Sequence, residues 1–257
     1  MPWYEIVAIA LAGVAAGAIN AVVGSGTLIT FPTLLAFGFP PVTANVSNNI
    51  GLVPGGVSAT WGYREELGGQ RRRIAMLGPM SLLGAVTGAL LLLRLPAAAF
   101  QTIVPVLLAI SLVLVVAQPR IQAGVAAHRE RHGTTAGRGH DFLAMAGTYL
   151  AGIYGGYFGA AQGVLLIGVL GSLLPESLQR VNALKNLLSL IVNGVAAVVF
   201  VTVAFDKIDW RVVALIAVGS MVGGFLGARY GRKLPPVALR ALIVVVGVVA
   251  IGRVVTS

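Results

Sequence analysis

Charged residues are scarce in this chain of 257 residues: they make up 10% of it, against about 25% in soluble domains. Hydrophobic residues make up 57%, and the mean hydropathy is +0.92. So few charges cannot cover a surface exposed to water, which excludes a globular enzyme of the cytoplasm. Intrinsic disorder is excluded as well, because a disordered chain needs low hydrophobicity.

Cysteine is absent, which excludes disulfides, thiolate metal sites and cysteine nucleophiles. Carboxylates are missing from the middle of every apolar run, which argues against a cation pathway. No HExxH, P-loop or GxSxG motif occurs, so we expect neither an enzyme nor a cofactor. The three histidines His128, His132 and His140 fit no standard metal-ligand spacing, and no metal is expected.

Long uncharged runs are what the chain has instead, and a helix that spans a membrane needs about 20 mostly apolar residues. The runs lie between Glu5 and Arg64, at Ile74–Leu93 and Leu95–Pro119, between Asp141 and Glu176, and at Asn186–Phe205 and Val212–Ala228. They predict an all-α, multi-pass membrane protein. The net charge of +10 then indicates basic cytoplasmic loops rather than nucleic-acid binding.

The chain repeats itself weakly, at a shift of 135 residues. The order of the matches carries the argument: Gly17, Gly24, Pro40, Gly84 and Gly88 recur as Gly152, Gly159, Pro175, Gly219 and Gly223. We therefore predict a first transmembrane repeat at 1–117, a cytoplasmic linker that is mainly solvated loop at 118–140, and a second repeat at 141–257. The small-residue pairs within the helices predict close helix packing and leave room for a homodimer.

Each half has the same predicted plan: a glycine-rich helix, a break, a short apolar helix and three longer helices. The breaks are Gly24–Thr27 and Gly159–Gly163. A short helix of about 11 residues rises about 16 Å, half of the hydrocarbon thickness. If the short pieces return to their own side, the chain has eight spans and parallel repeats. If they cross, it has ten segments and inverted repeats. The distribution of basic residues favours inversion, with the N-terminus outside.

The breaks are the first candidate binding elements. A broken helix exposes backbone N–H groups that hydrocarbon cannot satisfy, and a helix N-terminus favours anions. Glycine at position 26 allows a ligand to approach the backbone, and the hydroxyls of Ser25 and Thr27 can donate to an oxyanion. In the second half Gln162 takes the polar position. The alternative interpretation is that these residues only cap a helix.

Amide side chains and one lysine form the second candidate group. The amides are Asn20, Asn45, Asn48, Asn49, Asn182, Asn186 and Asn193. They recur at matching places of the two halves, which exceeds what helix association requires. Lys185 lies among them and has no acidic partner nearby in sequence, so its natural counter-ion is an anionic substrate. The alternative is that Lys185 extends to the cytoplasmic interface.

These stretches resemble the TauE/SafE family of sulfite exporters. The resemblance rests on the Gly17–Gly26 stretch, the Phe31–Leu35 run, the asparagine-rich helix that closes at Gly62–Arg64, and Arg180–Asn186 followed by Asn193. It covers almost the whole chain. It implies transport of sulfite, or of organosulfur anions such as sulfonates, across the bacterial inner membrane.

Together these observations predict a secondary transporter of a small oxyanion that works by alternating access and exports its substrate. Lys185 would supply charge; the site would be completed by Asn20, Ser25, Gly26, Thr27, Asn45, Asn48, Asn49, Gln162, Asn182, Asn186 and Asn193. Three alternatives stay open at this point: an anion channel, a transporter of a different metabolite, and a membrane scaffold. The expected partners are the anion and the lipid bilayer.

Overall fold

The computed structural model describes residues 1–132, 138–231 and 240–248, and every regular element in these ranges is helical. This confirms the predicted all-α class. The α-helices are α1 Trp3–Val22, α2 Thr27–Ala36, α3 Pro41–Gly62, α4 Arg71–Arg94, α5 Ala97–His132, α6 Arg138–Tyr157, α7 Gln162–Leu173, α8 Leu178–Val203 and α9 Trp210–Tyr230. A 3-10 turn covers Phe205–Lys207, and residues 240–248 are also helical.

Five helices in the described ranges are long and apolar enough to cross a membrane, namely α1, α4, α8, α9 and the Ala98–Ala127 part of α5. Large apolar side chains lie exposed on the outer faces of the bundle, among them Leu11, Val113, Val198 and Val218. An apolar surface of this extent fits a lipid environment. The protein is therefore a multi-pass membrane protein, as the uncharged runs predict.

Glycines allow the longest helices to pack backbone against backbone. A methyl group added at Gly17 of α1 would overlap the backbone of Ser220 and Gly224 in α9. The matching contact joins α4 to α6, where a methyl group at Gly84 would lie 2.9 Å from the Cα atom of Gly152. These contacts confirm the packing that the spacing of small residues predicts.

The helices form two groups of opposite direction. Matched contacts along their lengths show that α1, α3 and α9 run parallel to one another, and that α4, α6 and α8 do so as well. The first group ends, and the second begins, at the end of the bundle that carries Arg71–Arg73, Arg180 and Arg229, called the basic end here. Corresponding helices of the two halves (α1 and α6, α3 and α8, α4 and α9) belong to opposite groups and therefore run in opposite directions. This favours the inverted arrangement, although the repeat itself stays a prediction.

The short helices α2 and α7 lead back to the end at which α1 and α6 begin. Phe37–Pro40 joins α2 to the start of α3, whereas Glu176 joins α7 to the start of α8 at the basic end. Each long–short pair thus enters and returns, which leaves α3, α4 and α5 to follow in the first half, and α8 and α9 to follow within the described part of the second half. An odd number of crossings inverts the second half relative to the first.

Helix α5 continues well beyond the point at which the linker was expected to begin. Its 36 residues rise about 54 Å, so Gln118 to His132 is helix rather than solvated loop. The extension is stabilised by packing against α7, where Ile121 approaches Gly168 and Val125 approaches Gly171. Residues 133–137 of the expected linker lie outside the described ranges, as do the side chains of His128 and His132.

Glu176 joins the two halves of the chain at the basic end. Its carboxylate accepts hydrogen bonds from Arg73 of α4 and from Arg180 Nε of α8, the latter at 2.5 Å. Arg180 also donates to the Gly68 carbonyl at 2.9 Å. Burial raises the pKa of Glu176, but the bonds and charges of the two arginines outweigh this and hold the pKa below its ordinary value.

Replacing Glu176 with Gln removes the charge that the two arginines share. At pH 7 we expect the unfolding free energy in detergent to fall by about 1–3 kcal/mol, measured by thermal unfolding. A carboxyl group with a lowered folded pKa stabilises above its unfolded pKa, and this contribution is lost as pH falls through the folded pKa. Wild type and variant should therefore converge in acid. Glu65→Gln, at a side chain that is 87% exposed, is the control; a difference independent of pH would contradict the ion-pair role.

Candidate functional site

The two breaks meet in the interior of the bundle. The N–H of Gly163, in the first turn of α7, donates to the Gly24 carbonyl at 3.0 Å. The chain turns with positive φ at Gly24 (85°) and at Gly159 (79°), a conformation that glycine adopts without strain. A Cβ atom on Gly163 would lie 2.5 Å from the Cα atom of Gly24. Only glycine allows the two backbones to cross this closely.

Neither short helix has a side-chain N-cap. The residue before α2 is Gly26, whose N–H donates to Asn20 Oδ1 at 2.7 Å, and the residue before α7 is Ala161. The N–H groups of a helix's first turn lack partners within the helix and carry a partial positive charge. Both short helices therefore begin at the crossing with their anion-favouring ends in the protein interior.

Asparagines of each half cap the broken helix of the other half. Asn45 Nδ2, on α3, donates to the Tyr157 carbonyl at the end of α6 at 3.0 Å. Asn182 and Asn186, on α8, both donate through Nδ2 to the Ala21 carbonyl near the end of α1 at 3.2 Å. Carbonyls that a broken helix leaves free are thus satisfied inside the protein. Asn45 and Asn182 hold the breaks in position.

Three further predicted residues, Asn48, Asn49 and Ser25, lie on α3 or within the first break. Asn48 accepts a hydrogen bond from the Thr30 hydroxyl and donates to Thr27 Oγ1 at 3.4 Å. Asn49 Nδ2 donates to Asn193 Oδ1 on α8, also at 3.4 Å. Ser25 is fully buried, and its hydroxyl has no hydrogen-bond partner among the described residues.

Lys185 lies on α8 between the two capping asparagines and is only 1% exposed. Its Nζ atom donates to the Asn20 carbonyl at 2.8 Å, close to the end of α1. Within the described part of the chain no carboxylate forms an ion pair with it. Extension to the cytoplasmic interface, the alternative interpretation from the sequence, does not fit a side chain buried to this degree.

A small cavity of about 30 Å³ lies where the breaks and amide helices meet, enough for one or two waters. Five predicted residues line it: Asn20, Thr27, Gln162, Asn186 and Asn193. The other seven surround it without lining it: Ser25, Gly26, Asn45, Asn48, Asn49, Asn182 and Lys185. The predicted site residues are thus divided into five that line the cavity and seven that lie around it.

The cavity has one polar wall and one apolar wall. On α8, Ser189 joins Asn186 and Asn193 on one face, whereas on α3 the facing residues are Leu52 and Gly56. Sequence reasoning missed Ser189, although its spacing of three from Asn186 places it on the same helical face. The apolar residues gave no signal, because the sequence offers many equivalent ones.

At the breaks, a larger residue in one half corresponds to a smaller residue in the other half. Asn20 and Thr27 occupy positions that correspond, at the shift of 135, to Gly155 and Gln162. The Gln162 side chain covers Gly155, where a methyl group would overlap it. Its Nε2 atom is buried and has no partner in the ranges described. Gln162 therefore brings a free amide donor to the cavity that it lines.

A second cavity, of about 240 Å³, lies towards the basic end. Asn182 lines it together with Val22, Tyr63 and Gln122. The Oδ1 atom of Asn182 is buried and lacks a hydrogen-bond partner among the described residues. Since Asn182 and Asn186 bond to the same carbonyl, only one helical turn separates the two cavities.

Spanning helices around a buried polar cavity, where two interrupted helices meet, define a multi-pass protein of the membrane-transporter class. The family described as "Sulfite exporter TauE/SafE" matches residues 9–254. The chain belongs to the TauE/SafE family.

Curated relatives carry transporter names. The "Probable membrane transporter protein YfcA" of Escherichia coli K12 is 28% identical over 242 residues, covering 91% of this chain and 83% of the relative. A "Probable membrane transporter protein" of Haemophilus influenzae is 26% identical over 234 residues, covering 91% and 88%. The "Probable membrane transporter protein ORF9" of a Sinorhizobium species is 27% identical, covering 91% and 85%. No solved structure matches the chain.

Gly24→Ala tests the close crossing of the breaks. Gly38 provides a matched control, because its φ of 80° is equally unfavourable for alanine but a methyl group there meets nothing within 4 Å. We expect Gly24→Ala to lower the unfolding free energy by about 1–3 kcal/mol more than Gly38→Ala, because it adds overlap to the same strain. Thermal unfolding of both variants measures the difference. If both variants lost the same unfolding free energy, the close approach of Gly163 would not be the reason that position 24 requires glycine.

Proposed function

We propose that the protein exports sulfite or a related sulfonate-type organosulfur anion by alternating access, with the cavity at the crossing as the binding site. One observation carries the proposal. The fully buried Lys185 bonds to the backbone of cavity-lining Asn20 and has no carboxylate partner in the described chain. A buried cation of this kind provides the positive potential that an anion requires.

Hydrogen-bond donors around the cavity suit an oxyanion. The free Nε2 of Gln162 and the hydroxyls of Thr27 and Ser189 surround it, and the uncapped first turns of α2 and α7 begin beside it. Oxyanions accept several such bonds at once, and helix N-termini add electrostatic attraction. Export is the direction that the description of the family names.

Alternating access is supported by the division of contacts between the halves. Helices α1 and α8 come from different halves and hold each other through Asn20, Ala21 and the side chains of Asn182, Lys185 and Asn186. At the basic end, Glu176 ties α4 to α8. Relative movement of the halves would change these contacts, and so join the central cavity to the cavity that Asn182 lines.

A ligand-stability screen of the purified protein tests the substrate class. Sulfite, methanesulfonate, thiosulfate and the neutral dimethyl sulfone are compared by their effect on the melting temperature, since a ligand that binds only the folded state stabilises it. We expect stabilisation by the anions that transport assays in proteoliposomes also accept. Stabilisation by the sulfone alone would contradict an anion site. Flux that never accumulates against a gradient would identify a channel instead.

Lys185→Ala removes the buried charge. We expect anion transport in proteoliposomes to fall by about tenfold or more, because the cavity loses its positive potential, while the variant still folds. Lys207→Ala, at an exposed position in the 3-10 turn, is the matched control and should transport normally. Normal sulfite flux in Lys185→Ala would contradict the role of this lysine.

A further inference from the structure

In the described ranges, Lys185 has one neutral hydrogen-bond acceptor, the Asn20 carbonyl, and no ion-pair partner. Helices α3 and α7, which pack against α8, contain no titratable side chain. The titratable residues of the other neighbouring elements are Tyr4 and Glu5 in the first turn of α1, Arg71–Arg73 and Arg94 at the ends of α4, Tyr63 beyond the end of α3, Arg138, His140, Asp141, Tyr149, Tyr154 and Tyr157 on α6, and Asp206 and Lys207 in the 3-10 turn. Two carboxylates, Asp141 of α6 and Glu176 just before α8, pair with arginines at the basic end.

An ammonium group in this position carries a large desolvation cost that the Asn20 carbonyl offsets only in part. Two events remove the uncompensated desolvation cost of the ammonium group: an anion enters the adjacent cavity, or the group releases its proton. A neutral amine still donates a hydrogen bond, so the contact with the Asn20 carbonyl holds in both protonation states. The empty site and the loaded site therefore favour different protonation states of the same side chain.

We infer that Lys185 carries a proton together with the anion, so that each transport cycle moves one proton and one anion in the same direction. The loaded carrier holds R–NH3⁺ beside the anion, and the empty carrier returns with R–NH2. On release the proton leaves to water as the anion leaves, and no covalent bond to the substrate forms or breaks. This inference rests on the proposed function.

The cavity near the basic end provides the proton with a route to water. Asn182 lies one helical turn before Lys185 on α8 and lines that cavity with Gln122. The Cδ atom of Lys185 also lies within 3 Å of the position that a Cβ of Gly163 would take, beside the crossing. On α8, Lys185 thus lies between Asn182, which lines the cavity near the basic end, and Asn186, which lines the binding cavity. Because the basic end is the predicted cytoplasmic end, proton and anion can enter the site from the same side during export.

The variant Lys185→Arg separates the charge at this position from proton transfer, because a guanidinium group keeps its proton. In proteoliposomes with radiolabelled methanesulfonate, which is ionised at every pH used, we expect Lys185→Arg to retain exchange of internal for external anion. Net accumulation driven by a pH gradient should fall by about tenfold or more, because the empty carrier cannot shed its charge. Lys207→Arg is the control and should match the wild type in both assays.

A second measurement on the wild-type protein keeps the inference testable if Lys185→Arg does not fold. A pH-sensitive dye inside the vesicles reports protons that enter with methanesulfonate, and the expected ratio is one proton per anion. Anion flux without proton movement, or full pH-driven accumulation in Lys185→Arg, would overturn the coupling and leave the proposed function standing. Failure of the wild type to move methanesulfonate, sulfite or thiosulfate would overturn the proposed function and the coupling with it.

Discussion

The structure depends on one constraint: backbone groups within a membrane must find partners inside the protein. Two helices are interrupted here, and each leaves carbonyls at its end that hydrocarbon cannot satisfy. The Tyr157 and Ala21 carbonyls receive hydrogen bonds from Asn45 on α3 and Asn182 on α8, each from the opposite half of the chain. These hydrogen bonds therefore connect the two halves of the chain, and they also stabilise the interrupted ends of both helices.

The same interruptions create the candidate site. Because Gly24 and Gly163 allow the backbones to cross, the uncapped starts of α2 and α7 lie in the interior beside a small cavity. The walls of this cavity differ: α8 contributes Ser189, two asparagines and Leu190, whereas α3 contributes Leu52, Gly56 and Ala59. A substrate with an oxyanion group can thus face donors on one side and apolar surface on the other. In the proposed site, Lys185 adds positive charge from behind the lining.

Composition and spacing predicted much of this arrangement. The uncharged runs located the helices, and the glycines of the breaks identified the interruptions, because both signals are local. The spacing also placed Asn182 and Asn186 on one face of α8. It could not show that Asn45 and Asn182 cap helices across the bundle, because the residues they contact lie 112 and 161 positions away in the chain. Likewise the linker was predicted to begin at residue 118, whereas α5 continues to His132 and packs on α7 at Ile121 and Val125.

The sequence by itself therefore determined the class of protein, the two interrupted helices and the amide-rich helices, since hydropathy and residue spacing act over a few turns. Only the tertiary structure decided which polar residues line the cavity and which support it. Asn20, Thr27, Gln162, Asn186 and Asn193 line it, whereas Lys185 bonds to a helix end. The physical reason is that a buried polar group bonds to whichever partner the packed helices bring within about 3 Å, and that distance is set by the whole bundle.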